Sequence, residues 1–417
     1  MSGELDVYLA GHHIATLTST SNRRVVELTW SQEADVGDIR LSESFAQIVG
    51  LSPDRQRLSR FLGGYLPEGQ QRAAMAKHRG IAADDLFGFL REYGGSLAGA
   101  LAFRKADDQP NYELLTPKKL ARAFREASAR WNQGLRDDSR SMIPGFQPKV
   151  LVTKLDDGRW YQPHGGAHST HILKPPREDA AARLYDEFYA HELARHMGLA
   201  SFQSEIRKVA GEPYLAIERY DRRQRDGVVE VIHQEDAAQA LGLDWTSDAV
   251  KFQNQDRPND RSHASAGAIA EALVALDSDP LQGWLRQLTF RVLIGDNDGH
   301  AKNVSIMHLP GEDRLADLYD AVPNLFQPGR VDFTLALSVN RVFDHRDLTK
   351  DHLEREAAAW GGLNPRAISA TVDDVFGRFE AALEAVPFPH QGSPDVVAAL
   401  RRTLERLRTG KTIGQYA

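Results

Sequence analysis

Asp298 and Asn303 stand five positions apart in VLIGDNDGHAKNVSI, the stretch from Val292 to Ile306. There an apolar run passes directly into two acids, a histidine, a lysine and two asparagines. Buried charges must be paired, hydrogen-bonded or bound to metal, so such a cluster is either a solvated turn or a site. The D-x-x-x-x-N spacing is that of a phosphoryl-transfer loop, in which the aspartate accepts the proton of an acceptor hydroxyl and the asparagine oxygen holds a metal ion. Downstream, after one expected strand, LADLYDAVP supplies Asp320 where a second metal ligand would stand. Upstream, THILKPP puts Lys174 near the end of a strand, as required of a lysine that reaches ATP phosphates. Oxygen donors of this kind suit Mg²⁺, which also takes ligands from nucleotide phosphates.

Each piece alone has a plainer explanation. A lone D-x-x-x-x-N is mostly chance, Lys174 could be a solvated strand end, Asp320 could cap a turn, and His300 could be a satisfied structural histidine. SMIPGFQPKVLV sets a Gly and Pro turn before Lys149 and a strand; it reads as a surface turn or as a loop whose backbone N–H groups and lysine cradle phosphates. It is not a Walker A sequence and has too few glycines for a kinase Gly-rich loop. The order of the pieces favours chemistry: strand lysine, helical segment, D-x-x-x-x-N, second aspartate.

The elements that would position these residues follow from periodicity. LDVYLAGHHIATL and RRVVELTW read as two strands joined by STSN. LPEGQQRAAMAKHRG is a helix with a Pro-Glu start and a stop at Gly80, and ADDLFGFLREYGG is a short helix with an acidic first turn. ALAFRKADDQPNY runs from a strand into a polar linker, with a boundary near Asp107 to Asn111. KVLVTKL, WYQP and THILK are short strands, AARLYDEFYAHELARHMGL is an amphipathic helix, and EIRKVAGEPYLAIERYDRR is a strand pair. Beyond His233 the chain reads as mostly helical. A small sheet with an embedded helix, followed by a helical lobe, is the layout of protein-kinase-like folds.

Composition limits the alternatives. The chain has 417 residues, enough for two or three domains, and no cysteine, which removes disulfides, thiolate metal sites and a cysteine nucleophile. Without an apolar stretch of about 20 residues or a signal-peptide start, the expectation is a soluble, cytoplasmic protein with no membrane contact. A net charge of −7 argues against a surface that tracks nucleic-acid phosphates, so any DNA contact is expected to be indirect.

Taken together, LDVYLAGHHIATL, FLGGYLPEGQ, GGSLAGALAF, PGFQPKVLV, THILKPP, LAIERYDRR, HQEDAAQALG, GDNDGHAKNVSI and LYDAVP resemble, in order and over nearly the whole chain, the HipA-type serine/threonine kinases, toxins of bacterial toxin–antitoxin pairs. The resemblance implies an α+β, protein-kinase-like fold: a small N-terminal α/β domain over 1–107, a mixed N-lobe over 108–236 and a mostly helical C-lobe over 237–417. It implies Asp298 as catalytic base, with Asn303 and Asp320 as Mg²⁺ ligands. Pro144, Gly145, Phe146, Gln147, Pro148 and Lys149 would form the phosphate loop, with Lys174 on the ATP phosphates. His300, Lys302 and Tyr319 would line the nucleotide site, Glu218, Arg219 and Tyr220 would be the adenine hinge, and Gln234 would lie near the nucleotide.

Members of that family phosphorylate proteins, in studied cases aminoacyl-tRNA synthetases, and are neutralised by a HipB-type helix-turn-helix partner that binds operator DNA. The chain shows no helix-turn-helix of its own. It departs from the family at Met142, where an autophosphorylated serine is usual; Ser139 and Ser141 are out of register, so self-inactivation through this loop is not expected. Two alternatives stay open: a small-molecule phosphotransferase, and a kinase-like co-regulator that only binds a DNA-binding partner.

Overall fold

The computed structural model describes residues 3–105, 108–130, 139–145, 147–177, 180–225, 227–276, 279–329 and 331–415. The expected linker position Asp107 lies outside them. At the N-terminus, Glu4–Leu9 (β1) and His12–Ser19 (β2) form a hairpin, so the stretch expected as one strand is two. Ala10 and Gly11, with φ of 49° and 88°, form the left-handed two-residue turn that matches strand twist. Val26–Trp30 (β3) adds to β2. Arg55–Gly63 (α1), Gly69–Arg79 (α2) and Leu86–Tyr93 (α3) follow, and Leu101–Arg104 (β4) returns beside β1, giving the order β3-β2-β1-β4. The helix stop at Gly80 is left-handed as expected, and the Asp85 side chain caps α3 by accepting from Gly88 N at 2.9 Å.

The second sheet runs Asn111–Leu114 (β5), Val150–Lys154 (β6), Trp160–His164 (β7), His171–Lys174 (β8), Ser204–Val209 (β9) and Glu212–Glu218 (β10) in the antiparallel order β5-β7-β6-β8-β10-β9. Pro117–Arg130 (α4), a segment to which the sequence reading assigns no element, covers one face with Leu120, Ala123, Phe124 and Ala127 at helical spacing. Ala182–His196 (α5) covers the other. The pleat of β10 divides accordingly: Tyr214 and Ala216 join the core under α4, while Leu215 and Ile217 join the core that contains α5.

Arg222–Arg225 (β11) and Val228–Val231 (β12) make a hairpin, and His233–Asp236 (β13) leads into the single turn Ala237–Ala240 (α6). Ala266–Leu273 (α7) and Pro280–Ile294 (α8) come next. Ser305–Leu309 (β14) pairs with β13 on one side and Glu312–Leu315 (β15) on the other, and Thr334–Val339 (β16) pairs with Val342–Asp344 (β17). Lys350–Ala359 (α9), Pro365–Ala385 (α10) and Val396–Arg408 (α11) complete the lobe around α8, whose Trp284, Leu285, Phe290 and Leu293 are fully buried. Among its described residues, the part expected to be mostly helical therefore carries five strands as well as six α-helices. Short apolar runs such as SIMHL lack the length to separate strand from helix by period, and the turn at Pro310 and Gly311 decides for a hairpin. Among the described residues no helix is long and apolar enough to cross a membrane.

A buried charge cluster joins this hairpin to the N-terminal segment. His308 Nδ1 meets Asp313 Oδ1 at 2.7 Å and Nε2 meets Glu235 Oε1 at 3.0 Å, while Glu235 also accepts from Ser42 Oγ at 2.6 Å and Glu43 N at 2.7 Å. Burial favours the neutral imidazole, but the two carboxylates outweigh it and lift His308 to about 9. A raised pKa stabilises the fold fully below the unfolded value of about 6.5 and ceases to do so as pH rises through about 9. His308→Gln is therefore expected to lower the melting temperature most near pH 6.5, with the gap to the parent chain narrowing toward pH 9.5; thermal scans across that range check it, and a constant gap would mean a neutral His308.

Candidate active site

The last turn of α8 builds the loop that carries the acids. Gly295, left-handed at φ 66°, ends the helix, and Arg291 reaches forward from within it to Asp296. The same guanidinium donates to the carbonyls of Asn303 at 2.7 Å and Tyr319 at 3.0 Å. Asp296 Oδ1 accepts from Asp298 N at 3.1 Å, and Asn303 Nδ2 donates to Asp298 O at 2.9 Å. Four polar groups that would be costly to bury alone thus satisfy one another.

Lys174, at the end of β8, donates to Glu187 of α5 and to Asp320, each at 2.6 Å. Burial alone would raise the Asp320 carboxyl, but the Lys174 ammonium, with Lys149 beyond it, holds it well below the usual carboxylate range; 42% of its side chain still faces the cleft. Asp320 itself adopts a left-handed backbone, φ 51°. Burial first, then the like charges of Asp296 and Asp320, lift Asp298 to about 6, although its side chain is 56% exposed to the cleft mouth. Such a carboxyl can take a proton near neutral pH. His300 lies deeper, its Nε2 4.0 Å from Asp298 Oδ1 and its ring edge-on to Phe252 at 5.2 Å; burial, with the charge of Lys251, brings it down to about 3, so it is neutral.

Across the cleft, Lys149 Nζ donates to Pro144 O at 2.9 Å and closes the loop between them. Gly145 has φ 118°, a backbone conformation that strains any L side chain, which favours glycine at this cradle. Burial, with the like charge of Lys174, pulls Lys149 down to about 8. A buried ammonium that donates to one carbonyl among the described residues suits an anion such as phosphate. Asp320 and Asn303 are oxygen donors that could hold a hard cation: with Nδ2 of Asn303 committed to Asp298 O, its Oδ1 is left to serve as a ligand atom.

One cleft of about 480 Å³ gathers nearly all the residues singled out in the sequence. Pro144, Gly145, Gln147 and Lys149 line it, as do Lys174, Glu218, Arg219, Tyr220, Gln234, Asp298, His300, Lys302, Asn303, Tyr319 and Asp320. Pro148 is not in its wall, and Phe146 lies outside the described residues. Tyr220 stacks on Tyr319 with ring centres 5.3 Å apart and donates to Gln234 Oε1 at 2.9 Å. Two side chains have other commitments. Arg219 forks onto Asp221 and donates to Ser169 Oγ and Leu97 O, and Lys302 donates to Gly64 O and Asp236 Oδ2, each at 2.7 Å.

Sequence reasoning passed over Glu187, Arg291, Asp296, Glu68 and Lys251. The first had a signal, an acid in the middle of an amphipathic helix following the strand lysine. The pairing of Arg291 with Asp296, five residues on across a helix stop, was also within reach. Glu68 and Lys251 are 183 residues apart and carried no local sign.

A strand lysine paired to a helix glutamate, facing an acid loop at the mouth of a helical lobe, places the molecule among α+β, protein-kinase-like folds. The chain belongs to the HipA family: the HipA-like C-terminal domain matches residues 141–383 and the HipA N-terminal domain residues 5–104. It is 32% identical over 292 residues, 66% of each chain, to a Sinorhizobium fredii relative named "Putative kinase Y4mE", and so spans about two-thirds of that relative's length. It is 27% identical over 318 residues to the serine/threonine-protein kinase toxin HipA of Shewanella oneidensis, covering 71% of this chain and 72% of that one. In fold it is similar to a chain from the Shewanella oneidensis MR-1 complex of HipA, HipB and operator DNA, with a TM-score of 0.79 at 21% identity over 97% of this chain and 96% of that one.

Arg291→Met would leave Asp296 buried, charged and unpaired and release two carbonyls. The expected loss is about 3–5 kcal/mol of unfolding free energy, measured by urea titration. A loss below about 1 kcal/mol would mean that the loop holds its shape without this arginine.

Proposed function

We propose that the chain is an ATP- and Mg²⁺-dependent protein serine/threonine kinase that acts in the cytoplasm as the toxin of a toxin–antitoxin pair. The observation that carries this reading is the Lys174–Glu187–Asp320 arrangement in the same cleft as Asp298 and Asn303. Lys174 and Lys149 hold phosphate charge of the nucleotide substrate, and Tyr220, Tyr319 and the hinge backbone flank its base. Asp298 orients the acceptor hydroxyl and takes its proton. Asn303 and Asp320 would hold Mg²⁺, which when bound supplies charge neutralisation at the phosphoryl group. Met142 has no hydroxyl and is buried in the N-terminal core, while Ser139 and Ser141 are buried as well; the loop root therefore offers no exposed acceptor for self-phosphorylation.

The acceptor in this reading is a translation component such as an aminoacyl-tRNA synthetase, and the restraining partner a HipB-like helix-turn-helix protein through which DNA is contacted. Family membership and the HipB present in the related Shewanella complex support that assignment.

Incubation of host lysate with labelled ATP is expected to label a protein band, and Asp298→Asn to lose that label while binding ATP with unchanged affinity in calorimetry. Label on small alcohols instead of protein, or retained transfer by the variant, would overturn the assignment. Asp320→Ala is expected to weaken Mg²⁺-dependent nucleotide binding more than Asn303→Ala, because it removes a charge; calorimetric titrations at several Mg²⁺ concentrations measure this, and an unchanged metal dependence in both would put the metal elsewhere.

A further inference from the structure

The N-terminal unit enters the cleft through one carboxylate. Glu68 begins α2, yet its side chain makes no capping bond to the helix; it is 4% exposed, and its Oε2 accepts from Lys251 Nζ at 2.8 Å. Lys251 precedes α7 and is 8% exposed. Its carbonyl accepts from Ala301 N at 3.1 Å, three residues beyond Asp298, which ties it to the acid loop. Its ammonium also lies 5.2 Å from the centre of the Phe252 ring, the ring that meets His300.

The cleft lysines differ in how far they are engaged, Lys149 donating to the Pro144 carbonyl as the closure of its own loop. Lys174 has two carboxylates, and Lys302 a carboxylate and a carbonyl. Lys251 donates one hydrogen bond among the described residues, to Glu68, and an ammonium carries three donors. A buried pair is a weak source of stability because desolvation offsets its attraction, whereas a fixed charge beside a reacting group is strongly catalytic.

We infer, on the kinase reading above, that Lys251 is a catalytic residue that contacts the transferring phosphoryl group, and that Glu68 is the positioning residue that holds it at the acceptor side of the cleft. As the acceptor oxygen bonds to the γ-phosphorus and the bond to the departing ADP breaks, the hydroxyl proton goes to Asp298, and the free donors of Lys251 face the charge on the transferring oxygens. The N-terminal unit is then part of the catalytic apparatus, since without Glu68 the lysine stem is free to swing.

The test uses the full chain with Mg²⁺-ATP and water as acceptor, reading phosphate release under single turnover, and calorimetry with a non-hydrolysable ATP analogue. Lys251→Met is expected to slow release about 100-fold while nucleotide affinity changes by less than about threefold, and Lys251→Arg to recover about tenfold of that loss. Glu68→Gln, which keeps shape, is expected to cost about tenfold, and the double variant Glu68→Gln, Lys251→Met to be no slower than Lys251→Met, as when one residue acts through the other. Should Lys251→Met fail to fold, Glu68→Gln and Lys251→Arg carry the test by the same split between rate and affinity. Release by Lys251→Met within about twofold of the parent, losses that multiply in the double variant, or affinity falling in parallel with rate would overturn the inference. A parent chain that neither releases phosphate nor labels protein would overturn the kinase reading itself, and this inference with it.

Discussion

The catalytic half of the molecule hangs on the Arg291–Asp296 pair. The guanidinium of Arg291, buried at the end of α8, directs its two terminal nitrogens to the Asp296 carboxylate and to the carbonyls of Asn303 and Tyr319. Those bonds bring the start of the acid loop, its end and the residue before Asp320 onto one side chain. The fork geometry of arginine makes this possible; a lysine offers a point charge in its place. Asp298 can stay exposed at the cleft mouth because Asp296 behind it anchors its backbone N–H.

A second buried charge system bolts the N-terminal unit to the segment that follows β10. Asp221 receives Arg219, Arg222 and the backbone N–H of Gly99, while the Leu97 and Gly99 carbonyls accept from the same two guanidinium groups. Burial alone would raise Asp221, and the two guanidinium groups bring it down to about 2. Together with His308–Glu235–Ser42, Lys302–Gly64 and Lys251–Glu68, this makes the wall of the cleft a joint product of sequence-distant parts. Pairs of this kind add little net stability, but they tolerate only one relative placement, because displacing either partner strands a buried charge. Precise placement is what phosphoryl transfer asks of a protein, since there is little covalent chemistry for the side chains to perform.

Which residues meet in the cleft was largely legible in the chain itself. D-x-x-x-x-N after an apolar helix, a lysine at a strand end and a second aspartate in order depend on local spacing, and local spacing survives folding. The hairpins at Ala10–Gly11 and Pro310–Gly311 and the helix α4 were less legible. A two-residue turn leaves alternation unbroken on both sides, and a five-residue apolar run is too short for its period to be read. Only the tertiary structure decided that Glu187 completes the Lys174 pair, that Arg219 and Lys302 spend their side chains on the N-terminal unit, and that Glu68 meets Lys251. The physical reason is the same in each case: a carboxylate and a cation brought together by packing leave no trace in sequence separation, because their attraction depends on distance and burial alone.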